Sequence, residues 1–214
     1  MSEAREMAYV CPYCGKAFEI TTYTTVNTRD DPDLRDRCLS GDIFRHTCPH
    51  CHTQFMVQPH MVYTDMDHRF ILWLSDVELP PSVKAYAQPL AAAGFRLRRC
   101  STIEEFTEKI QVFEDGMDDI LVEIAKYDCF IEFIDNRKGN PADITSIEYQ
   151  STKNDVMKIN IRTDDKGMSF HIPVNLLEEE IKAEADLYSI DEAEIPLVNS
   201  AWVISLFTQA QGNA

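Results

Sequence analysis

The sequence predicts an α+β fold, and three observations carry that prediction. Two Cys-Pro-X-Cys units, Cys11–Cys14 and Cys48–Cys51, sit among residues rich in β-branched side chains. Between residues 103 and 127 the apolar residues recur at helical spacing, as Ile103, Phe106, Ile110 and Phe113 show. From Cys129 the period falls to two, and helical spacing returns in the C-terminal tail.

Taken in order, Phe18–Val26 alternates and is rich in Thr, so it reads as a strand. Asp31-Pro32 starts a short helix, with Asp31 as cap and Pro32 at the first helical position, and Ser40-Gly41 ends it. Ile43–Thr47 leads as a strand into the second Cys-Pro-X-Cys unit. Two extended runs follow, Gln54–Val62 and Arg69–Leu74, flanking a hairpin turn at Thr64–Asp67. The adjacent prolines of Leu79-Pro80-Pro81-Ser82 suggest a linker between a unit at 8–78 and an α+β region at 82–214.

Beyond it, Val83–Ala93 reads as a helix kinked at Pro89 and stopped by Gly94. Phe95–Arg99 reads as a strand. Overlapping capping-box patterns in Ser101-Thr102-Ile103-Glu104-Glu105 start the next helix. A further helix covers Met117–Tyr127. Four period-two runs, Phe130–Ile134, Ile144–Tyr149, Met157–Arg162 and Met168–Val174, predict an antiparallel meander. Leu176–Ala185 and Ser200–Phe207 predict C-terminal helices.

Composition narrows the function classes. The 214 residues are 44% hydrophobic and 26% charged, which is enough for a core. No apolar run approaches the roughly 20 residues that span a bilayer, and the N-terminus lacks a signal-peptide pattern. These features predict a cytoplasmic protein that makes no membrane contact. Residues 1–100 carry 12 acidic and 11 basic side chains, whereas the remainder carry 24 acidic and 9 basic. An acidic half repels phosphate backbones and counts against nucleic-acid binding. Arg96, Arg98 and Arg99 form a small basic patch that either binds an acidic partner or faces the protein's own acidic half.

Seven cysteines, without a secretory signal, argue against a disulfide framework. Cys11, Cys14, Cys48 and Cys51 form two matched knuckles, and each Cys-X-X-Cys turn places two thiolates on one ion. Four thiolates complete a tetrahedral shell, which predicts one structural zinc ion and leaves no open position for catalysis. Proline after the first cysteine suits the turn, as does Gly15 after the second, where φ is often positive. His52 takes that place in the second knuckle, at a cost of about 1 kcal/mol. The 33 residues between Cys14 and Cys48 add little closure cost, about 0.6 kcal/mol per doubling, against metal free energies of about 10 kcal/mol. A redox dithiol is the competing reading, but that motif belongs at a helix N-terminus after a strand.

His46 and His52 read as surface or packing residues, and His50 points outward from its turn. Cys38, Cys100 and Cys129 read as buried small hydrophobes, the last two at strand ends. Asp118-Asp119 and Asp164-Asp165 read as solvated charge on a helix surface and in a turn. There is no phosphate-binding glycine loop, no Gly-X-Ser-X-Gly elbow and no His-Glu-X-X-His.

Cys11-Pro12-Tyr13-Cys14-Gly15, Asp31-Pro32, Leu39-Ser40-Gly41, Cys48-Pro49-His50-Cys51 and Met61-Val62-Tyr63-Thr64-Asp65 together resemble the CpXC family of bacteria and archaea. The resemblance covers the first unit and extends to the helices near residue 126. It implies a zinc-ribbon-like domain and carries the paired cysteines onto Cys11, Cys14, Cys48 and Cys51. His52 departs from the glycine common after the second knuckle, which bears on local turn geometry and not on ligation.

The sequence therefore predicts an N-terminal zinc ribbon with an inserted short helix, followed by helices, an antiparallel meander and C-terminal helices. Its leading functional reading is a zinc-binding, non-enzymatic interaction module with a protein partner. One alternative is an enzyme with its site in the C-terminal α+β region and the ribbon as scaffold. Another is a weak nucleic-acid-binding ribbon.

Overall fold

Strand β2 (Ala17–Asn27) turns Ile20, Thr22 and Val26 inward at period two, as its alternating sequence requires. Its antiparallel partner β1 (Glu3–Val10) was not legible in the sequence: EAREMAYV has no β-branched run, and pairing with β2 makes it a strand. Helix α1 (Pro32–Leu39) has Pro32 in its first turn and buries Leu34 and Cys38. Asp31 stands at its N-cap, but the carboxylate accepts from the Ser2 amide instead (3.1 Å). The expected strand from Ile43 is shortened. Gly41 has φ +72, Asp42–Phe44 forms a 3-10 turn, and only β3 (Arg45–Thr47) is extended. It pairs with β4 (Gln54–Met56). The run expected over Gln54–Val62 is broken at Pro59, where no donor exists for a ladder.

The chain resumes as β5 (Met61–Asp65) and turns into β6 (Phe70–Leu74). Buried Asp65 holds that turn by accepting from the amides of Asp67 and His68, each at 2.9 Å. Pro80 then serves as the N-cap of α2 (Pro81–Ala92), where the missing proline donors cost nothing. Gly94, at φ +79, follows it. Strand β7 (Arg96–Cys100) lies parallel to β6, so α2 is a crossover between adjacent parallel strands. The resulting sheet has the order β1-β2-β5-β6-β7.

Helix α3 (Ile103–Glu114) begins with the expected capping pattern. Thr102 Oγ1 accepts from the Glu105 amide, and the Glu105 carboxylate reaches back to the Ser101 amide. Helix α4 (Asp119–Asp135) runs through Phe130–Ile134, which the sequence reading placed in a strand. That five-residue segment fits periods of 2 and 3.6 alike, and the buried set Ala125, Cys129 and Phe133, at i, i+4 and i+8, selects the helix. The meander accordingly has three strands: β8 (Ile144–Lys153), β9 (Val156–Thr163) and β10 (Gly167–Pro173), in the order β10-β9-β8. Helices α5 (Val174–Ala183) and α6 (Ser200–Gly212) follow. The fold is α+β.

The computed structural model describes residues 1–164 and 166–212, with side chains to residue 208. Asp165, half of the Asp164-Asp165 pair, lies outside the described residues. The chain groups into two compact units: Met1–Thr107 with Asp191–Leu197, and Glu108–Ile190 with the chain from Val198 onward. In the first, Tyr63 stacks on Phe70 at 5.8 Å and meets Phe106 edge-on at 5.8 Å, and Phe44 meets Phe106 at 5.9 Å. In the second, Met157, Ile159 and Ile161 of β9 are buried, and α4 packs on β8, β9, α5 and α6. Among the described residues no helix is long and apolar enough to cross a membrane.

Candidate metal centre

Both knuckles are turns that close antiparallel strand pairs, β1 with β2 and β3 with β4. Their backbones repeat each other. In the first, the Gly15 amide donates to the Cys11 carbonyl (2.9 Å) and the Cys11 amide to the Lys16 carbonyl (3.0 Å). In the second, the His52 amide donates to the Cys48 carbonyl (2.9 Å) and the Cys48 amide to the Thr53 carbonyl (3.0 Å). Gly15 has φ +71 and His52 φ +60, so the histidine takes up the left-handed conformation that glycine supplies in its counterpart.

These turns bring the four sulfurs of Cys11, Cys14, Cys48 and Cys51 within 4.8 Å of one another. Cys11 and Cys51 are 3.7 Å apart, as are Cys14 and Cys48. A tetrahedron with metal–sulfur bonds of about 2.3 Å has edges of about 3.8 Å. The four cysteines therefore fit a metal ion. Among the described residues no histidine or carboxylate joins this group.

Four thiols this close cannot all ionise without a cation between them. The Thr53 hydroxyl, 3.5 Å from the Cys51 sulfur, and then the Thr53 amide pull the Cys51 thiol down to about 6. Cys14 goes the other way. The Lys16 amide lowers its pKa, but desolvation and the thiols of Cys11, Cys48 and Cys51 outweigh that and push it up to about 11. A dication would remove this conflict by drawing all four thiols to thiolates.

An aromatic floor supports the knuckles. Tyr9 stacks on Phe55 at 5.3 Å, and Phe18 meets both edge-on at 6.3 and 6.1 Å. Cys11, Cys48 and Phe55 are the buried members of this cluster. The sequence reading missed this floor and Thr53. Thr53 stands where Lys16 stands in the first knuckle, and that correspondence is the signal that could have found it.

The remaining candidates are not brought to the centre. His50 and His52 are exposed. His46 lies against Phe55, with its pKa lowered by burial. Cys38, Cys100 and Cys129 are buried, and burial pushes the thiols of Cys38 and Cys129 up to about 12. Cys129 sits on a helix, not at a strand end.

Asp119 also departs from expectation. Asp118 caps α4 through the Ile120 amide (2.9 Å), which turns Asp119 inward to full burial against Lys109 (2.8 Å). Glu123 joins Lys109 (3.5 Å) and Lys126 (3.3 Å), and Lys126 also meets Glu108 (2.7 Å). Buried carboxylates thus converge in the second unit, but on ammonium groups. The side chains of Asp119, Lys109 and Glu123 are 0–3% exposed, which closes them to a substrate.

A family model described as CpXC protein matches residues 9–126, from the end of β1 into α4. No curated protein and no solved structure matches the chain.

Proposed function

Since the chain belongs to the CpXC family, we propose that it is a zinc-binding, non-enzymatic interaction protein in which the metal holds a rigid platform for a protein partner. Cys11, Cys14, Cys48 and Cys51 would be the ligands. When bound, zinc supplies charge neutralisation and a cross-link between the two knuckles. The observation that carries the reading is the all-sulfur set, within 4.8 Å and with two sulfur pairs at the 3.7 Å separation of a tetrahedral edge, which leaves no ligand position for water or substrate. The knuckles' place in strand-closing turns, away from any helix N-terminus, favours metal over redox chemistry. The acidic C-terminal half supplies charge that can steer a partner.

The test is affinity capture from the native host with the full chain as bait and a Cys48→Ser bait as control. A defined partner held by the native chain and lost with Cys48→Ser is the expected result. Equal capture by both baits would sink the platform reading, as would turnover of a substrate by the purified protein.

A further inference from the structure

Seven residues stand apart from their neighbours in sequence. Asp191–Leu197 belong to the first unit, whereas the residues on either side belong to the second. They lie along β7, the edge strand of the five-stranded sheet. An edge strand presents backbone donors that need acceptors. Leu97 and Arg99, two residues apart on β7, donate to this segment: Leu97 N to Glu192 Oε2 (2.7 Å), Arg99 N to the Pro196 carbonyl (3.1 Å). The same Glu192 oxygen accepts from Arg98 Nη1 (2.7 Å), whose side chain is 2% exposed. Lys84 of α2 pairs with Glu194 (2.8 Å). Ile195 is buried with Ala87, Phe95 and Leu97.

These contacts have the form of peptide capture at a sheet edge, by a turn and not by an added strand: Glu192–Glu194 is a 3-10 turn, the Arg99 amide meets a main-chain carbonyl, the Leu97 amide and the buried Arg98 cation read one acid, and an apolar cluster takes an aliphatic side chain. Of the Arg96, Arg98 and Arg99 patch, Arg98 meets the chain's own acidic half here, whereas the Arg99 guanidinium pairs with Glu78 (3.0 Å). Two further facts separate slot from filler. β7, Arg98 and Lys84 lie inside the family-matched residues 9–126, and the filler lies outside them. Ile195 also holds φ +53, a conformation that disfavours a β-branched residue. Packing in the slot keeps a strained segment in place.

We propose that the β7 edge is a recognition site for short peptides of the pattern Glu-X-Glu-Ile-Pro in a protein partner, and that residues 191–197 occupy it in cis as a displaceable stand-in. The proposal rests on the reading of the first unit as an interaction platform and names its partner's chemistry. A tethered segment competes at an effective concentration in the millimolar range, so the native chain binds such peptides weakly until the segment is displaced.

The test uses the full chain and a labelled peptide spanning residues 190–198, followed by fluorescence anisotropy. Glu192→Ala with Ile195→Ala disables the segment, and this variant should bind the peptide at least about tenfold more tightly than the native chain. Adding Arg98→Met should remove the gain, and a peptide with both Glu replaced by Lys should not bind. A variant that keeps its circular dichroism and zinc content yet does not bind the peptide overturns the proposal, as does equal binding of the Lys peptide. If the variant unfolds, hydrogen exchange on the native chain decides. Exchange at Leu97 and Arg99 ahead of the β6 amides supports displacement, and exchange together with β6 overturns it. Peptide failure with zinc-dependent partner capture intact would overturn this inference alone. Loss of zinc dependence in that capture would overturn the platform reading.

Discussion

Replacing Lys109 by Met should be among the most damaging single changes in the second unit. Lys109 and Asp119 form a 2.8 Å ion pair with side chains 3% and 0% exposed, and Glu123 lies 3.5 Å from the same ammonium. At an effective dielectric of about 20, a pair at 2.8 Å attracts by about 6 kcal/mol. Methionine saves the lysine's own desolvation, which offsets part of that loss. It also takes the Lys109 ammonium away from two buried carboxylates, of which Glu123 keeps Lys126 at 3.3 Å. The expected net cost is about 3–5 kcal/mol. Urea unfolding at pH 7.5, with zinc present throughout, measures it. The double variant Lys109→Met, Asp119→Leu removes both charges and should recover most of the loss. The single variant should also regain stability as the pH falls and the stranded carboxylates take up protons. A single-variant cost under about 1 kcal/mol, or a double variant no better than the single, would refute the ion-pair account.

Glu123 is the third carboxylate among two ammonium groups, and burial first of all raises its pKa. A raised carboxylate contributes stability while protonated, below its unfolded value, and loses it as pH rises through the folded value. Glu123→Gln should therefore be neutral or stabilising at pH 7.5, with the difference shrinking toward pH 4. A loss above about 2 kcal/mol at pH 7.5 would contradict this. Cys38→Ala and Cys129→Ala should each cost about 1–3 kcal/mol, and both thiols should resist alkylation in the folded chain because burial holds them protonated. Fast labelling of either would show the burial to be wrong. His52→Gly trades about 1 kcal/mol of left-handed strain against glycine's similar entropic cost, so stability should change little and metal content not at all. Loss of metal would make His52 a ligand.

Features set by neighbouring residues were legible in the sequence, and features set by distant ones were not. The knuckles declare themselves because each places two sulfurs by a turn of four residues. Their meeting across 33 residues follows from their match. Strands β8–β10 kept their period and their turn residues. β1 did not, because its sequence has no β-branched run and becomes a strand only against β2. Phe130–Ile134 misled because five residues cannot separate two periods, and the decision came from Cys129 and Phe133 being buried together. Asp119 read as solvated because its partner Lys109 lies on another helix. The basic strand at Arg96–Arg99 was visible with both of its readings open. The acid that meets Arg98 stands 94 residues away, and no local pattern points to it.

Metal content across the cysteine series tests the central claim most directly. Zinc per chain is measured on purified native protein and on single Cys→Ser variants at all seven positions. The account predicts one zinc in the native chain, in Cys38→Ser, in Cys100→Ser and in Cys129→Ser. It predicts a sharp fall at Cys11, Cys14, Cys48 and Cys51, since three sulfurs leave an open position. Retention of stoichiometric zinc by Cys48→Ser, or its loss in Cys38→Ser, would contradict the ligand assignment.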